Sequence, residues 1–232
     1  QDLFNCPLKY FYKYVEKLED KSFIERNSGV WLDPPGRGNL THAVLERYVK
    51  KELMNNSNVS ADVNDELFDK IYESAVEAYK EKYQYDTEKI FLREKEEIRD
   101  VIYSYIKKLH DEMSSGEWMV IGCEEGFENV EYRAESWAED EAIVFKGIID
   151  RIDVNKDNGI RITDYKSGNK VKEDYKQHII YPMAKADADE FVYDYMFIDD
   201  KVKYNKENMQ GFSDDENETL KNAIIDKKYE VK

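Results

Sequence analysis

Residues 145–168 read F-K-G-I-I-D-R-I-D-V-N-K-D-N-G-I-R-I-T-D-Y-K-S-G, and this stretch limits the possible folds more than any other in the chain. Asp157-Asn158-Gly159 predicts a tight turn, because Asn and Gly accept the positive φ values of short hairpin loops. A strand is expected on each side of it. Side chains alternate along a strand, so Ile160, Ile162, Asp164 and Lys166 share one face while Arg161, Thr163 and Tyr165 take the other. In the first strand Ile148 and Ile149 precede Asp150, which therefore also ends an apolar run. Pairing through the turn lets Asp150 and Asp164 converge.

Converging carboxylates repel unless a cation or a proton lies between them, and hard oxygen donors suit Mg²⁺ or Mn²⁺. Lys166 beside them can orient a water and stabilise negative charge developing on a phosphate. The alternative is an ordinary cross-strand charge pair between Asp164 and Lys166, because so short a pattern recurs by accident.

The chain of 232 residues suits one large domain, or a core with an attached helical part. Charged residues at 37% and aromatics at 13% describe a folded chain with a charged surface rather than a disordered one. No apolar run reaches membrane-spanning length and no signal peptide precedes the first expected helix, so no membrane partner is expected. The chain opens at Gln1 rather than Met, and a piece of something longer is expected. Cys6 and Cys123 are too few for a disulfide framework and show no C-x-x-C spacing, which points to a reducing cytoplasm. A net charge of −16 weighs against a broad grip on nucleic acid, so any DNA contact is expected in a local cleft.

Residues 7–18 predict a helix with Leu8, Phe11, Tyr12, Val15 and Leu18 as its apolar stripe. Pro34-Pro35-Gly36-Arg37-Gly38 reads as loop, with Asn39 or Thr41 capping a helix that carries His42 in its first turn and buries Val44, Leu45, Tyr48 and Val49. His42 and Glu46 share a face, so a surface or capping role for His42 stays open. Asn64 and Thr87 cap two further helices, and Glu94 to Glu97 reads as a solvated face. Strands follow Gly116, running from Trp118 to Cys123 and on through Phe127 to Tyr132. Glu124 and Glu125 are candidate supporting acids there, or a solvent-facing pair at a strand edge. Glu173 to Ala186 predicts a helix limited by Pro182, with Gln177 and Tyr181 one turn apart and able to reach the strand ends. Phe191 to Phe197 and Val202 to Tyr204 predict strands, and Ser213 with Glu216 predicts a capping box for a last helix through Leu220, Ala223, Ile224 and Ile225.

Taken in order, C-P-L-K-Y-F-Y near the start, G-N-L-T-H-A-V-L-E around His42, G-I-I-D-R-I-D around Asp150, D-Y-K-S-G from Asp164 and Q-H-I-I-Y from Gln177 resemble one family. It is the PD-(D/E)XK superfamily, in the RecB/AddB-type exonuclease branch that also includes CRISPR-associated adaptation nucleases. The resemblance implies an α/β, restriction-endonuclease-like mixed sheet flanked by helices. Residues 1–116 would form a helical portion contributing His42, and residues 117–232 the nuclease core with its C-terminal helix. It further implies His42, Asp150 and Asp164 as metal ligands, with the backbone carbonyl of Tyr165 as another, and Lys166 as the catalytic lysine acting with Asp164 and Asp150. Gln177 and Tyr181 would border the site and position DNA. The family's acid ahead of a phenylalanine maps onto Glu124, three before Phe127, with Glu125 as the alternative.

Several relatives hold an iron–sulfur cluster with a Cys in the N-terminal C-P motif and three more near the C-terminus. Cys6 matches the first, but no Cys follows Cys123, so no cluster is expected in this chain. The resemblance implies a Mg²⁺- or Mn²⁺-dependent DNA nuclease, an exonuclease of repair or recombination that works beside a helicase-like region or subunit. Two alternatives remain at this point: a nuclease-like scaffold that binds protein or DNA without cutting, and a nuclease that processes CRISPR spacers.

Overall fold

The computed structural model describes residues 29–168, 176–209 and 211–230, with side chains as far as residue 222. The helix expected over residues 7–18, Cys6 and its C-P motif, and the first residues of the Glu173 helix lie outside the described residues. So do the side chains of Ala223, Ile224 and Ile225.

Helix α1 spans Pro34–Tyr48. Its start is a correction to the expected loop: the Asp33 carboxylate accepts the Gly36 N–H at 2.8 Å, and Pro34 and Pro35 fill first-turn positions whose N–H groups need no helical partner. His42 therefore stands in the third turn rather than the first. A π-helical turn, Val49–Leu53, continues the helix. Leu40, Val44, Leu45, Tyr48 and Val49 form its buried stripe.

Asn64 caps α2, Asp65–Lys82, and Thr87 caps α3, Glu88–Ser114, each by accepting a backbone N–H three residues on. Glu94 departs from the solvated face expected of it. It is 4% exposed, and its carboxylate accepts the N–H groups of Trp31 at 2.9 Å and Leu32 at 3.2 Å. A buried acid is tolerable there because two donors satisfy it.

The sheet contains β1 (Trp118–Tyr132), β2 (Ile143–Asn155), β3 (Ile160–Lys166), β4 (Ala188–Tyr195) and β5 (Asp200–Asn205), hydrogen-bonded in that order. β3 and β4 are parallel and the other pairs antiparallel. Helix α4, Gln177–Ala184, lies in the connection between the parallel strands. It is shorter than expected, since Lys176 is not helical and the helix stops two residues after Pro182. Helix α5, Asp214–Glu230, opens on the expected box: Ser213 N–H donates to the Glu216 carboxylate at 2.8 Å, and Glu216 N–H to Ser213 Oγ at 3.4 Å.

The β2–β3 turn uses only one of its two permissive residues as expected. Asn158 takes φ 65°, whereas Gly159 is needed for space, because a Cβ there would meet Asn155 Nδ2 at 2.8 Å. The Asn155 side-chain oxygen accepts the N–H groups of Asp157 and Gly159, which locks the turn.

One apolar cluster joins α1, α2 and α3 to Cys123 and Tyr165, and another carries Ile152, Ile160, Ile162, Phe191, Tyr193 and Tyr195. Tyr181 of α4 packs against the second cluster, so helices meet the strands from both sides. The result is an α/β fold of the restriction-endonuclease-like kind, with helical elements preceding a mixed sheet. Among the described residues, no helix is long and apolar enough to cross a membrane.

Candidate active site

The β2–β3 register sets the two acids side by side. Arg151 pairs with Thr163 and Ile152 with Ile162, so the next step of the ladder sets Asp150 opposite Asp164. Asp150 and Asp164 are 7% and 3% exposed. Asp150 Oδ2 accepts the backbone N–H of Tyr165 at 2.6 Å, which ties the two strand ends together. Lys166 Nζ lies 2.5 Å from Asp164 Oδ2 and 5.3 Å from the centre of the Tyr193 ring.

From α1, His42 reaches over these strand ends. Its Nδ1 lies 3.5 Å from Asp150 Oδ1 and 3.5 Å from Glu124 Oε1. Donor atoms of His42, Glu124 and Asp150 all fall within 4.8 Å of one another. Glu124 arrives there through a local distortion of β1. It takes φ 51°, between Cys123 and Glu125, which pair with Arg151 and Ile149. A left-handed non-glycine residue in a strand turns its side chain away from plain alternation. Glu125 goes elsewhere: its carboxylate lies over Gly122, where a Cβ would come within 2.6 Å of Oε2.

The electrostatics follow from burying acids together. Burial and the neighbouring Asp164 push the Asp150 carboxyl up to about 7, against the opposing pull of His42 and the Tyr165 N–H. Burial alone would lower His42, but its hydrogen bond to Glu124 and the charges of Asp150, Glu124 and Asp164 prevail and push it up to about 9. Asp164 Oδ2 is buried, with the Lys166 ammonium at 2.5 Å as its ion-pair partner. A group of one imidazole and two carboxylate donors within 4.8 Å of one another, with a second buried aspartate beside it, fits a divalent cation such as Mg²⁺ or Mn²⁺.

Gln177 and Tyr181 stand on α4, on the Tyr193 side of the site. Tyr193 Oη donates to Gln177 Oε1 at 3.4 Å. The Tyr181 ring packs edge-on against Phe127 at 5.6 Å and Phe191 at 6.0 Å, and burial together with Asp164 and Asp150 raises its phenol well above the ordinary value. His42, Glu124 and Asp150 thus come together directly, Asp164 and Lys166 adjoin them, and Tyr181 feels the charge of both aspartates. Gln177 is joined to the wall through Tyr193.

Sequence reasoning missed the charged network beneath the site. Arg151 is 1% exposed; its Nε donates to Asp153 at 2.9 and 3.1 Å, and its terminal nitrogens reach the hydroxyls of Tyr105, Tyr165 and Thr163 at 3.1, 3.3 and 3.3 Å. Arg161 donates twice more to Asp153, at 2.9 and 2.8 Å, and to Glu112 of α3 at 2.7 Å. The available signal was four charged or polar residues, Arg151, Asp153, Arg161 and Thr163, on the face of the hairpin opposite Ile152, Ile160 and Ile162.

A family model described as the PD-(D/E)XK nuclease superfamily matches residues 1–227. Among curated proteins, an ATP-dependent helicase/deoxyribonuclease subunit of Clostridium acetobutylicum is 27% identical over 185 residues, covering 72% of this chain. The match takes in 15% of that relative's length.

Proposed function

Because the chain belongs to the PD-(D/E)XK nuclease superfamily, we propose that it is a divalent-metal-dependent deoxyribonuclease, an exonuclease acting on linear or single-stranded DNA ends in repair or recombination. The observation that carries this reading is the meeting of His42, Glu124 and Asp150 donor atoms within 4.8 Å, beside Asp164 and Lys166. His42, Asp150, Asp164 and the Tyr165 carbonyl would hold Mg²⁺ or Mn²⁺, with Glu124 supporting them. When bound, such an ion lowers the pKa of a coordinated water and neutralises charge on a phosphodiester.

The remaining work falls to the chain's own groups. Asp150 and Asp164 supply the negative charge that selects a dication over a monovalent one. Lys166, tethered by Asp164, holds a positive charge where the phosphate oxygens gain negative charge as the bond to the leaving oxygen breaks. Gln177 and Tyr181 line the approach for DNA. The contact is confined to this cleft, because a net charge of −16 repels phosphates from most of the surface.

The relative is named as a helicase/deoxyribonuclease subunit, which supports DNA as the substrate and a helicase-like region or subunit as the working partner; the setting we propose is the cytoplasm. The intact donor set favours an enzyme over a non-cutting scaffold, because converging acids have no structural use without a cation.

End-labelled linear DNA incubated with Mn²⁺ or Mg²⁺ tests the proposal. Cleavage should disappear with EDTA, return on adding Mn²⁺, and be lost in Asp164→Asn. Equal signal from wild type and Asp164→Asn would overturn the assignment. Cutting of circular single-stranded DNA would overturn the exonuclease part alone.

A further inference from the structure

The side chain of Tyr165 is tied into the site from several directions. Its backbone N–H holds Asp150 Oδ2 at 2.6 Å, and its ring stands edge-on to the His42 imidazole, centroids 5.8 Å apart. On its far side the ring meets Tyr105 edge-on at 5.6 Å, and its hydroxyl takes a hydrogen bond from Arg151 at 3.3 Å. The Arg151 guanidinium, itself fixed by Asp153, lies 5.6 Å from the ring centre. Tyr165 is 3% exposed, so this position is set by packing and not by solvent.

Tyr165 thus joins donors from two separate elements. Asp150 belongs to β2 and His42 to α1, and the only β3 residue that touches both is Tyr165 among the described contacts. Its backbone fixes one donor and its ring backs the other. Its hydroxyl is engaged by Arg151, on the side away from His42.

We propose that the Tyr165 ring, locked from behind by Arg151 and Asp153, is a positioning residue that seats the His42 imidazole against the metal-binding carboxylates. The role is separate from the backbone carbonyl assigned above and rests on the reading of this site as a metal centre. Groups that orient metal ligands from behind typically contribute about 10- to 100-fold in metal affinity.

Mn²⁺ titration, followed by calorimetry and by the electron paramagnetic resonance signal of free Mn²⁺, tests the idea without any need for DNA cleavage. Tyr165→Leu should weaken Mn²⁺ binding by about 10- to 100-fold while unfolding stays cooperative. Tyr165→Phe, which keeps the ring against His42 and loses only the hydroxyl, should bind more tightly than Tyr165→Leu. Should Tyr165→Leu not fold, Tyr165→Met takes its place in the same comparison. Combined with His42→Ala, the loss should be less than additive, because the ring acts through that imidazole.

Wild-type affinity in Tyr165→Leu would overturn the inference, as would equal losses in the Phe and Leu variants or full additivity with His42→Ala. Absence of saturable Mn²⁺ binding in the wild type would overturn the metal-centre reading, and the inference with it. The first results leave the metal centre standing and the last does not, so the two failures are distinguishable.

Discussion

Replacing Asp153 by Ala is expected to cost more stability than any surface change, and the network beneath the site shows why. The carboxylate is fully buried and accepts four hydrogen bonds from two guanidiniums, those of Arg151 and Arg161. Without it, Arg161 still has Glu112 at 2.7 Å, but Arg151 keeps only the neutral hydroxyls of Tyr105, Tyr165 and Thr163. An uncompensated buried cation of this kind costs about 3–5 kcal/mol. For a chain of this size that corresponds to a fall in melting temperature of about 6–20 °C. Urea unfolding followed by far-UV circular dichroism and tryptophan fluorescence measures it. The decisive comparison is the double variant Arg151→Met/Asp153→Leu, which removes the stranded charge along with its partner and should lose less than Asp153→Ala alone. A loss below about 1 kcal/mol in Asp153→Ala, the level of an exposed pair, would refute the assignment of a buried charge cluster. So would a double variant worse than the single one.

Lys166→Ala should lower the turnover number by about 100- to 1,000-fold while leaving Mn²⁺ affinity largely intact, which steady-state cleavage and calorimetry on the same preparation would show. Glu124→Gln should weaken Mn²⁺ binding by at least about tenfold, whereas Glu125→Gln should not change it, and a reversed order would show that the distortion in β1 was assigned to the wrong acid. Burial pushes the Cys123 thiol up to about 12, with Glu124 adding to it, so a Cys6→Ser chain should react with a disulfide reagent at pH 8 about 1,000-fold more slowly than an ordinary thiol until urea unfolds it. Burial tends to raise the Glu112 carboxyl, but the facing Arg161 prevails and holds it below its usual value. Its contribution to stability is therefore complete above the unfolded value near 4.5 and lost as pH falls through the folded one, so Glu112→Gln and wild type should converge in stability in acid and diverge toward neutrality.

Much of this arrangement could be read from residue order because it depends on local rules. Strand alternation set Ile160, Ile162, Asp164 and Lys166 on one face and Arg161, Thr163 and Tyr165 on the other, and the two faces pack as that alternation requires. Helical spacing gave the stripe of Val44, Leu45, Tyr48 and Val49 in the same way. Where a distant partner decides, local rules gave no answer. Pro34-Pro35-Gly36-Arg37-Gly38 has loop composition, and its helicity depends on the cap from Asp33. Glu94 looks solvated until the backbone of Trp31 and Leu32 is brought against it. The choice between Glu124 and Glu125 was open to alternation alone, because a left-handed residue in the strand suspends the two-residue period. Arg151, Asp153 and Arg161 carry no local sign of their burial, which depends on the approach of Tyr105 and Glu112 on α3.

The donors gathered at His42 come from a helix near the beginning of the described chain and from two strands far downstream of it. No contiguous segment holds the set. A chain partly unfolded by stress therefore carries every residue of the proposed cutting centre without having the centre itself. For a proposed deoxyribonuclease, connectivity thus makes hydrolytic competence arrive only with the completed tertiary structure, and be lost with it.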